Sequence, residues 1–158
     1  MKLKANEAKY MDILMVANPN EYQKQETTHQ TLFLTTQEFW KKEELVKQYD
    51  DVLWQAFRTH GKYMQIMQRA SYFAVAVDEQ ETYLGSAAVC EIGNIWLIEY
   101  VITNPAHTQQ GVGSAVMDRI MQEAKQADIQ FGVLNCDPEK NDGQLPKFYG
   151  RFGFKAVE

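Results

Sequence analysis

The apolar positions fall into two textures that change near residue 70. In the first, Phe39, Leu45, Tyr49, Val52, Leu53 and Ala56 recur at helical intervals. The charged run KKEELVKQYDD is then the wet face of an amphipathic helix. Thr35 followed by Glu38 has the spacing of a capping box at its start, and His60-Gly61 marks its end. A second helical piece is expected at 62–69. Ahead of these, residues 6–17 (NEAKYMDILMVA) predict a short helix stopped by Pro19. Residues 18–30 are polar and turn-like, and TLFLT at 31–35 predicts a short strand.

In the second texture the apolar runs become strand-like. SYFAVAVD (71–78), YLGSAAVCEI (83–92) and IWLIEYVIT (95–103) are joined by short turns and predict an antiparallel meander. A helix over 111–127 follows, with Val112, Val116, Ile120 and Ala124 on one stripe. FGVLNC (131–136) reads as a buried strand, followed by a short helix near 145–151 and the final run GFKAVE. The reading is α+β: a central mixed, mostly antiparallel sheet flanked by helices, with a helical N-terminal segment.

Composition narrows the classes. The chain has 158 residues, 45% hydrophobic and 12% aromatic, enough for one domain with a real core. A net charge of −5 carries no basic footprint, so no nucleic-acid partner is expected. No stretch approaches the roughly 18 apolar residues of a membrane span. MKLKANEAKY has no apolar run behind it, so no signal peptide is expected and the location expected is cytoplasmic. Cys90 and Cys136 read as reduced core thiols. His29, His60 and His107 are far apart, so no metal site is expected.

Two glycines, Gly111 and Gly113, sit where the third strand gives way to a helix. Each costs about 0.5–1 kcal/mol against alanine inside a helix. Their use is explained if something must approach the backbone closely. Gln110, Gly111, Val112, Gly113 and Ser114 would place free N–H groups at a helix start, a phosphate-binding arrangement. The P-loop pattern is absent. A dinucleotide fingerprint fits Gly111 and Gly113 but not Val116, and 21 residues after Asp137 are too few for the rest of a doubly wound sheet.

A second element completes the pattern. Thr103-Asn104-Pro105, then TQQGVG at 108–113, then FYGRFGF at 148–154 resemble the ordered motifs of the GNAT acyl-CoA-dependent N-acetyltransferases. The resemblance covers about residues 71–158. It implies a single GNAT-like domain over 1–158, in which 71–158 is the acetyl-CoA-binding core and the helix-rich 1–70 is the acceptor side. It implies acetyl-CoA as co-substrate, with Val101, Ile102 and Thr103 gripping the pantetheine arm through their main chain. Thr108, Gln109, Gln110, Gly111, Val112, Gly113 and Ser114 would hold the pyrophosphate. Thr108 departs from the family's Gln or Arg. Asp142 stands where many members carry Asn, with Asn141 beside it. The sequence stops at Glu158, where the family's last hairpin would begin, so the N-terminal segment or a second subunit would have to replace that strand.

The implied reaction needs a base and an acid. A lysine-like amine of pKa near 10.4 is about 0.04% neutral at pH 7, so deprotonating it costs about 4–5 kcal/mol. Glu99, a lone carboxylate in an apolar strand, is the candidate base. By alternation it shares a face with Leu97 and Val101, and Tyr100 takes the other. Glu91 and a water remain alternatives. Tyr149 is the candidate acid, since a phenol can protonate a departing thiolate and the family places a tyrosine at this motif position. Trp40, Trp54, Tyr49 and Tyr63 are either an acceptor pocket or core. A small amine, an aminoglycoside, a polyamine and a protein amine all remain open as acceptor, as does a homodimer. The rival reading is a GNAT-like acyl-CoA-binding sensor or partner subunit with little catalysis.

Overall fold

A computed structural model describes residues 12–157. Its centre is one seven-stranded sheet: β1 (Ile13–Ala17), β2 (Gln30–Thr35), β3 (Tyr72–Val77), β4 (Tyr83–Ile92), β5 (Ile95–Thr103), β6 (Phe131–Cys136) and β7 (Lys155–Ala156). The spatial order is β2-β3-β4-β5-β6-β1-β7. All neighbours are antiparallel except β5 and β6, which run parallel. The helices longer than four residues are α1 (Thr36–Lys41), α2 (Glu43–Phe57), α3 (Lys62–Arg69), α4 (Val112–Gln126) and α5 (Leu145–Gly150), and a single turn at Lys140–Gly143 precedes α5.

The expected meander, α3, α4 and the mixed sheet are present. The capping box is complete: Glu38 N–H donates to Thr35 Oγ1 at 3.1 Å and Thr35 N–H to Glu38 Oε1 at 2.9 Å. The helix behind it is broken once, at Lys42, where the backbone leaves helical angles. Phe39, Leu45, Tyr49, Val52 and Leu53 are buried as their spacing requires, while Ala56 is exposed.

Residues 6–17 are not one helix. Residues 6–11 lie outside the described part, and Ile13–Ala17 is a strand. Met15 and Ala17 point into the core while Leu14 is exposed, a period of two rather than 3.6. Pairing on both sides, with β6 and with β7, overrides the weak helical pattern of ILMVA. This strand fills the place beside β6 for which the sequence alone supplied no certain occupant.

Two cores lie on opposite faces of the sheet. On one, α4 buries Val112, Val116, Met117, Ile120 and Met121 against β3, β4, β5, β6 and β1. On the other, α1–α3 cover β2, β3 and β4, with Phe39 stacked on Phe73 at 4.6 Å. Each large apolar side chain fully buried there contributes about 1.5–3 kcal/mol. Gly85 in β4 is fixed by close approach: a Cβ there would lie 2.6 Å from Val112 Cγ1 and 2.8 Å from the Ile102 carbonyl. The absence of a side chain lets the start of α4 sit against the end of β5.

Candidate active site

β5 and β6 pair only over Ile95–Leu97 and Phe131–Val133. Beyond Leu97 they diverge, and a cleft opens between them. Main-chain groups of the remaining β5 residues that face away from β4 have no strand beside them there. A cavity of about 450 Å³ fills the gap, lined by Leu97–Val101, Leu134–Asp137, Asp12, Lys140, Asn141, Leu145 and Tyr149. A second cavity of about 440 Å³ runs along the start of α4 and includes Thr103, Gln109, Gly111, Gly113, Ser114, Phe148 and Arg151. Val101, Asn141, Leu145 and Tyr149 line both.

The α4 start explains its glycines by two separate mechanisms. Gly111 is the N-cap at φ +78, in the left-handed region, with open space where a Cβ would be. Gly113 is in the helix, and a Cβ there would meet Phe148 Cζ at 3.4 Å while narrowing the cavity. No side chain caps this end, so the N–H groups of Val112, Gly113 and Ser114 have no partner within the helix. Gln109 is also left-handed, at φ +62. The residues present therefore suit an anionic, pyrophosphate-like group.

Thr108 and Gln110 do not line this cavity. The Gln110 carbonyl instead meets His29 Nε2 at 2.6 Å, and its side chain meets His107. Val112 turns its side chain into the core. Ile102 packs on the α1–α3 face, so only its main chain is near the cleft. Asn141 and Asp142 both have left-handed backbones, at φ +53 and +56, and of the two only Asn141 lines the cavities.

Tyr149 sits on α5 at the junction of the cavities and is 7% exposed. Its phenol is pushed up to about 12, chiefly by burial and secondarily by Cys136. The hydroxyl thus keeps its proton at any physiological pH.

Glu99 lines the cleft and pairs with Arg69, with Arg69 Nη2 2.7 Å from Glu99 Oε2. The alternation expected for β5 is overturned at this point. The β4–β5 register slips between Ser86 and Ala88, leaving Tyr100 in a left-handed bulge at φ +54. Glu99 faces the α1–α3 side, where Arg69 is, as alternation from Ile98 requires; the bulge turns Tyr100 to that same side and sends Val101 to the α4 side. Glu91 lines neither cavity and accepts from Trp96 Nε1 at 2.9 Å.

Of the four aromatics, Tyr49 is core: its hydroxyl is buried without a partner among the described residues, and burial pushes its pKa up. Trp54 stacks on His60 at 4.3 Å. Trp40 and Tyr63 line a separate groove of about 510 Å³ on the helices. Sequence reasoning missed Arg69, Asp137, Lys140, Arg151 and Gly85. Only Gly85, a glycine inside a strand, carried a local signal.

Among the described residues no group of His, Cys, Asp or Glu side chains is arranged to hold a metal ion. No helix of the described residues is long and apolar enough to cross a membrane. Comparison with curated proteins gave no match. Solved structures match by shape. One is a GCN5-related N-acetyltransferase from Sphaerobacter thermophilus, with 12% identity over 96% of this chain and TM-score 0.65. Another, from Kribbella flavida, has 16% identity over 92% of this chain and TM-score 0.61. The chain spans about half the length of these two, 51% and 54%. An aminoglycoside acetyltransferase from an uncultured soil metagenomic sample, solved with sisomicin, shares 14% identity at TM-score 0.57. That match covers 78% of this chain and 86% of the other. The model of the GNAT acetyltransferase family matches residues 26–154, most of the sequence, so the chain belongs to that family.

Proposed function

We propose that this acetyltransferase moves the acetyl group of acetyl-CoA to a primary amine by direct attack. The observation that carries the reading is Tyr149 at the junction of two cavities, one suited to a phosphate-bearing donor and one open to an acceptor. In this reading residues 71–158 hold the donor and the helices within 1–70 border the acceptor. The start of α4 binds the pyrophosphate through the N–H groups of Val112, Gly113 and Ser114, with Gln109 beside them. Thr108 and Gln110 flank that turn, and Asn141 closes it from the other side, with Asp142 next to it in the chain. Val101, Ile102 and Thr103 grip the pantetheine arm through their main chain at the end of β5, where the two cavities meet at Val101, as an added strand would be held.

Acetyl-CoA supplies the activated thioester. Glu99, oriented by Arg69, accepts a proton from the incoming ammonium, directly or through a water. As the N–C bond forms and the C–S bond breaks, Tyr149 gives its proton to the departing thiolate, and the second proton that the nitrogen sheds on becoming an amide returns to Tyr149 through water. Its raised pKa keeps that proton available, and a β5 N–H polarises the carbonyl.

The test is acetyl-CoA turnover with a panel of amines, read as free thiol. Amine-dependent thiol release is expected. Binding of acetyl-CoA with no release for any amine would overturn the enzyme reading in favour of a sensor.

A further inference from the structure

The reaction above makes no use of the segment between β1 and β2, which is fastened along α4. Asp118 on that helix is 3% exposed and accepts from the Tyr22 hydroxyl at 2.5 Å and from the Gln25 N–H at 2.9 Å. Lys125 Nζ donates to the Tyr22 carbonyl at 2.7 Å, and Arg119 Nη1 to the Thr31 carbonyl at 2.8 Å. Between these fastenings the segment reaches both walls of the cavity at the start of α4. Gln25 Nε2 donates to the carbonyl of Arg151, a lining residue, at 2.6 Å. His29 Nε2 meets the Gln110 carbonyl at 2.6 Å. A carbonyl oxygen only accepts, so this ring nitrogen carries a hydrogen and donates it.

The direction of the Gln110 carbonyl decides what two N–H groups can do. In a trans peptide the C=O and the following N–H point in opposite directions, so a carbonyl held toward His29 turns the Gly111 N–H away from it. Gly111 lines the cavity, and Gln110 and His29 do not. The other group is the Ser114 N–H, which would donate to the Gln110 carbonyl if α4 began one residue earlier. Helical bonding starts instead with the Ala115 N–H on the Gly111 carbonyl, at 3.1 Å. Glycine supplies room here but no direction. Without a Cβ, Gly111 adopts either sign of φ at little cost, so its own preferences leave the Gln110–Gly111 peptide free to turn over. Turned over, that peptide would aim a carbonyl where a phosphate needs a donor.

We propose that His29 is a positioning residue for the donor: fastened to α4 through Asp118 and Arg119, it holds the Gln110–Gly111 peptide so that the Gly111 and Ser114 N–H groups stay open to the pyrophosphate. This rests on the reading of the α4 start as the pyrophosphate site.

Calorimetry of the full chain with acetyl-CoA and with S-acetylpantetheine, a donor without the pyrophosphate, tests it. The wild type is expected to bind acetyl-CoA at least about tenfold more tightly, the worth of one or more hydrogen bonds to a charged group. His29→Ala is expected to weaken acetyl-CoA by about fivefold or more, as one such bond is lost, and to leave S-acetylpantetheine within about twofold. His29→Gln is expected to restore acetyl-CoA affinity to within about threefold of wild type, because its amide nitrogen stands as many bonds from the backbone as Nε2 and also donates. Unchanged acetyl-CoA affinity in His29→Ala would overturn the proposal. So would an equal loss for both donors, which marks a general packing role, or a His29→Gln variant as weak as His29→Ala. If the wild type binds the two donors equally, the pyrophosphate site itself fails and the proposal with it. If the wild type prefers acetyl-CoA and His29→Ala does so equally, only the role of His29 fails.

Discussion

The two cavities that meet at Tyr149 are built by opposite means. The one at the start of α4 is mostly local: Thr103 to Ser114 supply one wall, largely as backbone, and α5 supplies the other. The one between β5 and β6 is assembled from side chains at residues 12, 99, 137 and 140. Backbone donors at a helix start need only room and the right φ, which two glycines provide. A pocket lined by charge needs groups brought together by the whole fold. One cavity is thus shaped mainly by local sequence, the other by the fold as a whole.

The sharpest way to break this comparison is at the junction. Tyr149→Phe is expected to lower turnover on the order of 10²–10⁴-fold while calorimetry shows acetyl-CoA affinity within about twofold of wild type. Wild-type turnover would reduce Tyr149 to packing. Next, Glu99→Gln alters the acceptor side alone. Turnover should fall about 10²-fold with acetyl-CoA affinity retained, and a parallel loss of acetyl-CoA affinity would show that the cavities are not separable.

On the donor side, Gly113→Val puts methyl groups against Phe148 and into the cavity. Acetyl-CoA should bind at least tenfold more weakly, about 1.4 kcal/mol, in a protein whose circular dichroism is unchanged. An unchanged dissociation constant would remove the α4 start from the donor site. The smallest effect concerns pH. Tyr149 is pushed up to about 12, and burial also raises Tyr22, Tyr49 and Tyr83. Folded pKa values above the unfolded value of about 10 give stability that is fully present below pH 10. That stability is lost as pH rises through the folded values. Urea midpoints should therefore be flat with respect to these groups up to about pH 10 and fall above it. A Tyr149→Phe variant whose midpoint falls above pH 10 as steeply as that of wild type would show that the Tyr149 phenol is not desolvated.

The same contrast sets what could be read from the residues. The α4 start was legible because its signal is contiguous: strand, turn, two glycines, helix. The FYGRFGF element located Tyr149 for the same reason. Glu99 stood out as a carboxylate in an apolar strand and keeps the face of Leu97, but the directions of its neighbours Tyr100 and Val101 were not legible. Alternation assumes an unbroken ladder, and the bulge at Tyr100 breaks it through pairing with β4. Arg69 meets Glu99 from 30 positions away, a contact that no spacing rule contains. β1 looked helical because ILMVA is short and its two partners lie far along the chain.

That strand also sets an order of assembly. Met15 and Cys136 touch across 121 positions, and β7, its other neighbour, comes later still. During synthesis Ile13–Ala17 leaves the ribosome long before either partner exists. It waits as an apolar segment, prone to wrong partners, while the β2–β5 meander and its covering helices can already form. The wall of the cleft that carries Asp137 is thus among the last parts of the molecule to close, and a chain released early would have a sheet but no place for chemistry.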